Sequence, residues 1–262
     1  MAAGHYRAYM AEPVYRPVVG AVRGVFLALG LKFDISGTEN VPATGGGVVA
    51  INHTGYLDFA LAGLAFRPRK RLVRFMAKKE VFDKRVLGSL LRGMKHIPVD
   101  REAGAGSYAA AVTALSSGEL VGVFPEATIS QSFELKEFKS GAARMAIEAG
   151  VPLIPVIVWG SQRILTKGRK RDLSRGKPIR IIVGEPFTPE PDPVAATAQL
   201  KQRMQVLLEQ ARSSYKGAPT GDDDRWWLPV SMGGTAPTLE QAEAADATVR
   251  EQRAARRAAR DD

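Results

Sequence analysis

From residue 32 onward the hydrophobic positions fall into short runs whose spacing changes repeatedly along the chain. Residues 33–36, 48–51, 72–76, 96–99, 120–124, 153–159 and 179–183 are rich in Val, Ile, Leu and Phe and are bounded by turn-forming residues, the pattern of buried strands. Between them, residues 81–91, 107–116 and 141–149 repeat their apolar positions at helical spacing, and residues 195–215 read as a closing helix. Strand and helix alternate, which predicts the α/β class, with a largely parallel central sheet flanked by helices. In such sheets chemistry collects in the loops beyond the carboxyl ends of the strands.

The two ends read differently. Residues 14–31 are apolar but interrupted by Arg16, Pro17 and Arg23, so they fall short of the uninterrupted run of about 20 apolar residues that spans a bilayer. The arginine within the run and the lack of a small-residue cleavage pattern also argue against a removable leader. The expectation is an N-terminal amphipathic helix whose Arg7, Arg16, Arg23 and Lys32 face an anionic membrane surface, or which packs on the domain. Residues 216–224 read as a linker. The pair Trp226 and Trp227 reads either as an interfacial anchor or as a pin to the domain, with packing favoured. Residues 239–260 lack a wide apolar stripe and are expected to form a mobile C-terminal tail. The chain thus divides into an N-terminal interfacial segment (1–31), a catalytic-sized domain (32–215) and a linker with a flexible tail (216–262).

Composition narrows the chemistry. The chain has no cysteine, which excludes disulfides, thiolate nucleophiles and Cys-ligated metals. Its three imidazoles, His5, His53 and His96, are scattered, so no metal site is expected. The net charge of +10 suits anionic lipid, phosphorylated substrates or nucleic acid.

Four segments carry candidate chemistry. Asn52-His53-Thr54-Gly55-Tyr56-Leu57-Asp58 follows a predicted strand. On a regular helix residues five apart differ by about 140° in direction, so His53 and Asp58 pair only through a turn, which Gly55 can supply. A carboxylate on one ring nitrogen would fix the tautomer and stabilise the imidazolium formed when the other takes a proton. Taken alone, the spacing fits equally a strand-end histidine beside a helix cap. The second segment, Val123-Phe124-Pro125-Glu126-Ala127-Thr128, places a carboxylate and a hydroxyl beyond a buried strand, suited to binding a polar acceptor or to capping a helix. The third, Ile97-Pro98-Val99-Asp100-Arg101, brings an arginine to a strand end, where it could grip a phosphate. The fourth, Val151-Pro152-Leu153-Ile154-Pro155-Val156, reads as core or as the wall of an acyl groove.

In this order the four segments, spanning residues 33–186, resemble the glycerolipid acyltransferase family, in particular the bacterial 1-acylglycerol-3-phosphate acyltransferases. The resemblance implies that His53 is the general base and Asp58 its partner. The acyl group would move from acyl-CoA or acyl carrier protein to the free hydroxyl of a lysophospholipid, giving phosphatidic acid in phospholipid biosynthesis with no bound cofactor. It implies further that Asn52, Arg101, Glu126 and Thr128 bind substrate, with Lys78 and Lys139 as additional cations, and that the protein works peripherally on the cytoplasmic face of the cell membrane. The family pattern Gly-Thr-Arg is here Ala127-Thr128-Ile129, and isoleucine offers a phosphate neither charge nor hydrogen bond. Another lipid or glycolipid hydroxyl is therefore the alternative acceptor. A non-catalytic basic module is the remote alternative. The chain carries no zinc, basic-zipper or aromatic-basic RNA signature, so no nucleic acid partner is expected.

Overall fold

In the computed structural model, which describes residues 12–100 and 104–261, each of the seven apolar runs forms a strand. They are β1 (Lys32–Ser36), β2 (Gly47–Ile51), β3 (Val73–Lys78), β4 (Ile97–Val99), β5 (Leu120–Val123), β6 (Leu153–Trp159) and β7 (Pro178–Val183). One sheet holds them in the order β1-β7-β6-β2-β5-β3-β4. All neighbouring pairs are parallel except β6 and β7, which run antiparallel over Val156–Trp159 and Arg180–Val183.

The helices are α1 (Tyr15–Ala28), α2 (Asp58–Leu64), α3 (Lys79–Phe82), α4 (Arg85–Gly93), α5 (Gly104–Ser116), α6 (Gly141–Ala149), α7 (Pro193–Ser213) and α8 (Leu239–Asp261). The helix expected over residues 81–91 is broken in two at Asp83 and Lys84. Gly88 then lies so close to Phe82 that a Cβ there would sit 1.8 Å from the Phe82 carbonyl oxygen. That contact lets α4 fold back tightly on α3.

Side chains of β2 alternate between two cores. Val48 and Ala50 pack with Leu115 of α5, Met145 of α6 and Leu200 and Met204 of α7. Val49 and Ile51 pack on the other face with Phe26 of α1 and Leu61 of α2. Burying both faces explains why the central strands read as unbroken apolar runs rather than alternating ones. Each buried Val, Ile or Leu contributes about 1.5–3 kcal/mol, so the strand ends that carry the loops are firmly held.

The tryptophan pair packs on the domain, the reading favoured above, whereas the start of the tail helix departs from expectation. Trp227 is 1% exposed, with the Arg163 guanidinium 4.3 Å above its ring, and Leu228 and Ala236 are also buried. Trp226 is half-buried under Arg169. From α8, Ala242 and Asp246 reach the domain, and Asp246 forms ion pairs with Lys136 and Lys167. The segment from Trp226 to Asp246 is thus docked rather than free. A pair of indoles and a buried ion-pair cluster replace the apolar stripe that the sequence lacks.

Candidate active site

The order β6-β2-β5 brings the loops after three parallel strands to one place at the centre of the sheet. Asn52 begins the β2 loop and prolongs the ladder: its Nδ2 donates to the Val158 carbonyl at 3.0 Å and its Oδ1 accepts from the Val158 amide at 2.7 Å. At 1% exposure, with both ends of its amide bound to β6, Asn52 positions the loop.

His53 follows, and its Nδ1 lies 3.1 Å from Asp58 Oδ2. The turn between them is held by Asp58 itself, whose Oδ2 also accepts the amides of Thr54 at 2.7 Å and Gly55 at 2.8 Å. Gly55 is favoured by crowding, since a Cβ would stand 3.0 Å from the Leu165 carbonyl oxygen and from Ser161 Oγ. Asp58 is the first residue of α2, where a negative charge is favoured by the helix dipole. It is fully buried, and Ser161 Oγ from the β6 loop donates to its other oxygen. Thr54 Oγ1 lies 3.2 Å from the same serine hydroxyl, and Thr166 Oγ1 donates to the Thr54 carbonyl at 2.7 Å. A buried carboxylate is tolerated only when its lone pairs are filled, and these donors fill them.

His53 keeps 19% of its side chain accessible, with its ring stacked on Phe124 at 4.0 Å between centroids. Phe124 belongs to the β5 loop, which also supplies Glu126. The Glu126 carboxylate accepts the His53 amide at 2.8 Å through Oε1 and the Lys136 amide at 3.2 Å through Oε2. Burial pushes its carboxyl up to about 8, aided by the Asp58 charge, while the two amide donors oppose the rise. At 4% exposure and with both oxygens bound to backbone, Glu126 clamps the two loops together. The Ser130 amide adds a second link, donating to the His53 carbonyl at 2.7 Å.

The other expected residues have partners outside the His53 and Asp58 pair. Thr128 Oγ1 accepts from Lys136 Nζ at 2.7 Å and donates to Asp246 at 3.3 Å. Ile129 is buried at 6%. Lys139 has an exposed side chain, and its amide donates to the Pro125 carbonyl. Lys78, exposed at the end of β3, pairs with Glu80 at 2.7 Å. Arg101 lies outside the described residues. His96 is a core residue: its Nδ1 accepts the Phe75 amide at 3.0 Å, and burial, then Arg74, pushes its imidazole down to about 4. Ser161, Lys136 and Lys167 went unnoticed in the sequence. For Ser161 a signal existed, because it lies just past the carboxyl end of the strand beside β2.

A cavity of about 760 Å³ opens between α1, α2 and α4. Its walls include Phe59, Ala60 and Gly63 of α2, Val19 and Val22 of α1, and Leu87 of α4. Apolar residues predominate in its lining, which includes neither His53 nor Asp58. Arg16 and Arg23 stand at its wall. Val25 and Leu27 of α1 and Val86, Leu87 and Leu90 of α4 are exposed. Among the described residues, no helix is long and apolar enough to cross a membrane.

An acyltransferase family model matches residues 32–159, the part that carries both loops. The chain is 33% identical over 192 residues to a 1-acyl-sn-glycerol-3-phosphate acyltransferase of Bacillus subtilis, an alignment covering 70% of this chain and 92% of the relative. It is 29% identical to a chloroplastic 1-acyl-sn-glycerol-3-phosphate acyltransferase of Brassica napus, over 60% of this chain and 45% of the plant protein. Among solved structures, the 1-acyl-sn-glycerophosphate acyltransferase PlsC of Thermotoga maritima shares the fold, with a TM-score of 0.64 and 22% identity over 73% of this chain and 77% of that one. With the motif-bearing loops inside the matched region and nearly the whole of the Bacillus protein aligned, the chain belongs to the acyltransferase family.

Proposed function

We propose that this protein transfers a fatty acyl group from acyl-CoA or acyl carrier protein to the free hydroxyl of 1-acyl-glycerol-3-phosphate, forming phosphatidic acid. The observation that carries this reading is the 3.1 Å contact of His53 Nδ1 with the buried Asp58 carboxylate. With Nδ1–H committed to Asp58, Nε2 is the basic nitrogen. The acceptor hydroxyl gives its proton to Nε2 as its oxygen bonds to the thioester carbonyl carbon. The tetrahedral intermediate then collapses with cleavage of the C–S bond, and the departing thiolate recovers the proton from the imidazolium. No acyl-enzyme is needed. Positioned base catalysis of this kind contributes about 10²–10⁴-fold.

The cavity beside α2 suits an acyl chain: its lining is mostly apolar, and Phe59, Ala60 and Gly63 of α2, the helix that Asp58 begins, form part of its wall. The exposed apolar residues of α1 and α4, of which Leu87 and Leu90 line the cavity, suit contact with an anionic bilayer together with Arg16 and Arg23. Peripheral attachment on the cytoplasmic face follows, since the donors are cytoplasmic solutes.

The acceptor is the part that the names of the relatives suggest and that Ile129 leaves open. Purified protein with long-chain acyl-CoA or acyl carrier protein is to be tested against lysophosphatidate, other lysophospholipids and glycolipids, with flotation on anionic vesicles in parallel. Lysophosphatidate is expected to be acylated fastest. Faster acylation of another hydroxyl would replace that acceptor, and absence of flotation would remove the membrane assignment.

A further inference from the structure

Thr128, Lys136 and Lys167 take no part in the His53 and Asp58 pair, yet all three converge on one carboxylate. Asp246 Oδ2 lies 2.5 Å from Lys136 Nζ and 3.3 Å from Thr128 Oγ1, and its Oδ1 lies 2.5 Å from Lys167 Nζ. Burial works to raise the Asp246 carboxyl, but the two ammonium groups outweigh it and hold the carboxyl below the usual range. Two ammonium groups and a hydroxyl around a two-oxygen anion are the donor types that also bind phosphate. The cluster is one backbone link from the catalytic loop, because the Lys136 and His53 amides grip the two oxygens of Glu126.

The carboxylate in this cluster is carried by a separable element. Among the described side chains of α8 only Ala242 and Asp246, one turn apart on the same face, are buried. The helix starts from its own cap, in which Gln241 Oε1 accepts the Thr238 amide and Thr238 Oγ1 accepts the Gln241 amide. The segment before it is anchored independently by Trp227, Leu228 and Ala236. Ion pairs thus hold α8, whereas apolar surface holds what precedes it.

We propose that Thr128, Lys136 and Lys167 form a binding site for a phosphate monoester, and that Asp246 fills it as a displaceable self-ligand, so that the C-terminal helix competes with a phosphorylated ligand beside the catalytic loop. Identification of that ligand with the acceptor headgroup rests on the proposed acyl transfer; the binding event does not. The site also supplies a reason why isoleucine is tolerated at position 129: the cations come from Lys136 and Lys167 instead.

The test uses the full chain. Backbone amide exchange over residues 239–249 is measured in wild type alone, with saturating glycerol 3-phosphate, and with phosphatidate-containing vesicles. Exchange is expected to accelerate when the ligand displaces α8. Acceleration with glycerol 3-phosphate shows that the phosphate suffices, and acceleration with the vesicles alone assigns the site to a lipid headgroup. Binding of glycerol 3-phosphate is also measured by calorimetry. Asp246→Asn, with nothing left to displace, should bind about tenfold more tightly or better, and the gain should vanish in the Asp246→Asn, Lys167→Ala double variant. Unchanged or slowed exchange with both ligands, or a folded Asp246→Asn protein that binds no more tightly than wild type, overturns the proposal. If Asp246→Asn does not fold, the wild-type exchange experiment decides alone. Loss of acyl transfer activity with these results intact would remove the functional reading and leave this site standing.

Discussion

Replacing Asp58 by Asn isolates what the buried charge does. Three donors meet Asp58 Oδ2: the His53 ring at 3.1 Å and the amides of Thr54 and Gly55 at 2.7 and 2.8 Å. Together they select the amide oxygen of Asn for that position, and its NH2 then faces Ser161 Oγ, a hydroxyl that can turn from donor to acceptor. Loop geometry and the histidine tautomer should therefore survive, and only the charge is lost. Opposite unit charges about 4 Å apart are worth roughly 4 kcal/mol at an effective dielectric near 20, which corresponds to about 10³ in rate. The Asn dipole recovers part of this, so kcat is expected to fall about 10²–10³-fold with KM for donor and acceptor changed by less than about twofold. Initial rates of thiol release across both substrate concentrations, with circular dichroism confirming the fold, measure the split. A folded Asp58→Asn enzyme that loses less than tenfold, or loses only through KM, would refute the reasoning.

Glu126→Gln tests the loop clamp through pH. Because burial raises the folded-state value to about 8, above that of the unfolded chain, the wild-type contribution to stability is present in acid and declines as pH rises from the ordinary carboxylate range through about 8. Gln should abolish that decline while costing about 1–3 kcal/mol at low pH, where its NH2 faces a backbone N–H; parallel urea-melt profiles for the two proteins would contradict this. Ala127 holds φ at 60°, a left-handed conformation that costs a residue with a Cβ about 1–2 kcal/mol. Ala127→Gly relieves this but loosens the unfolded chain, for a net gain of up to ~1 kcal/mol, read in calorimetry as a rise of about 2–4 °C in Tm. Gly63 lines the cavity, and a Cβ there meets only Phe75 at ordinary contact distance. Gly63→Leu should fold and fill space worth about four methylenes, at about 0.8 kcal/mol each, shifting the donor preference toward shorter acyl chains by about two-hundredfold. An unchanged chain-length profile would place the acyl chain elsewhere.

The sheet was legible because its central strands are buried on both faces, which leaves apolar runs such as residues 153–159 without polar interruption. The pairing of His53 with Asp58 was legible through the resemblance: Gly55 permits the turn, but only the order of the four segments selected the pair over a helix cap. What escaped the sequence depends on backbone partners from distant loops. Asn52 and Glu126 look like ligands for substrate, but their partners are the amides and carbonyls of Val158, His53 and Lys136, and no local pattern encodes these. The tail was misread because apolar periodicity was taken as the test of docking. Asp246 docks through two lysines more than 75 residues away in sequence, as the separations of 110 and 79 residues show. The split of the helix after β3 was invisible too, since it turns on the contact of Gly88 with the Phe82 carbonyl.

The central claim is that the accessible nitrogen of His53 removes the acceptor's proton. The direct measurement is the initial rate of phosphatidate formation from long-chain acyl donor and lysophosphatidate by wild type and His53→Ala, with both substrates saturating. Robust turnover by wild type and a loss of at least about 10³-fold in a folded His53→Ala protein are expected. Equal rates from the two proteins would contradict the claim.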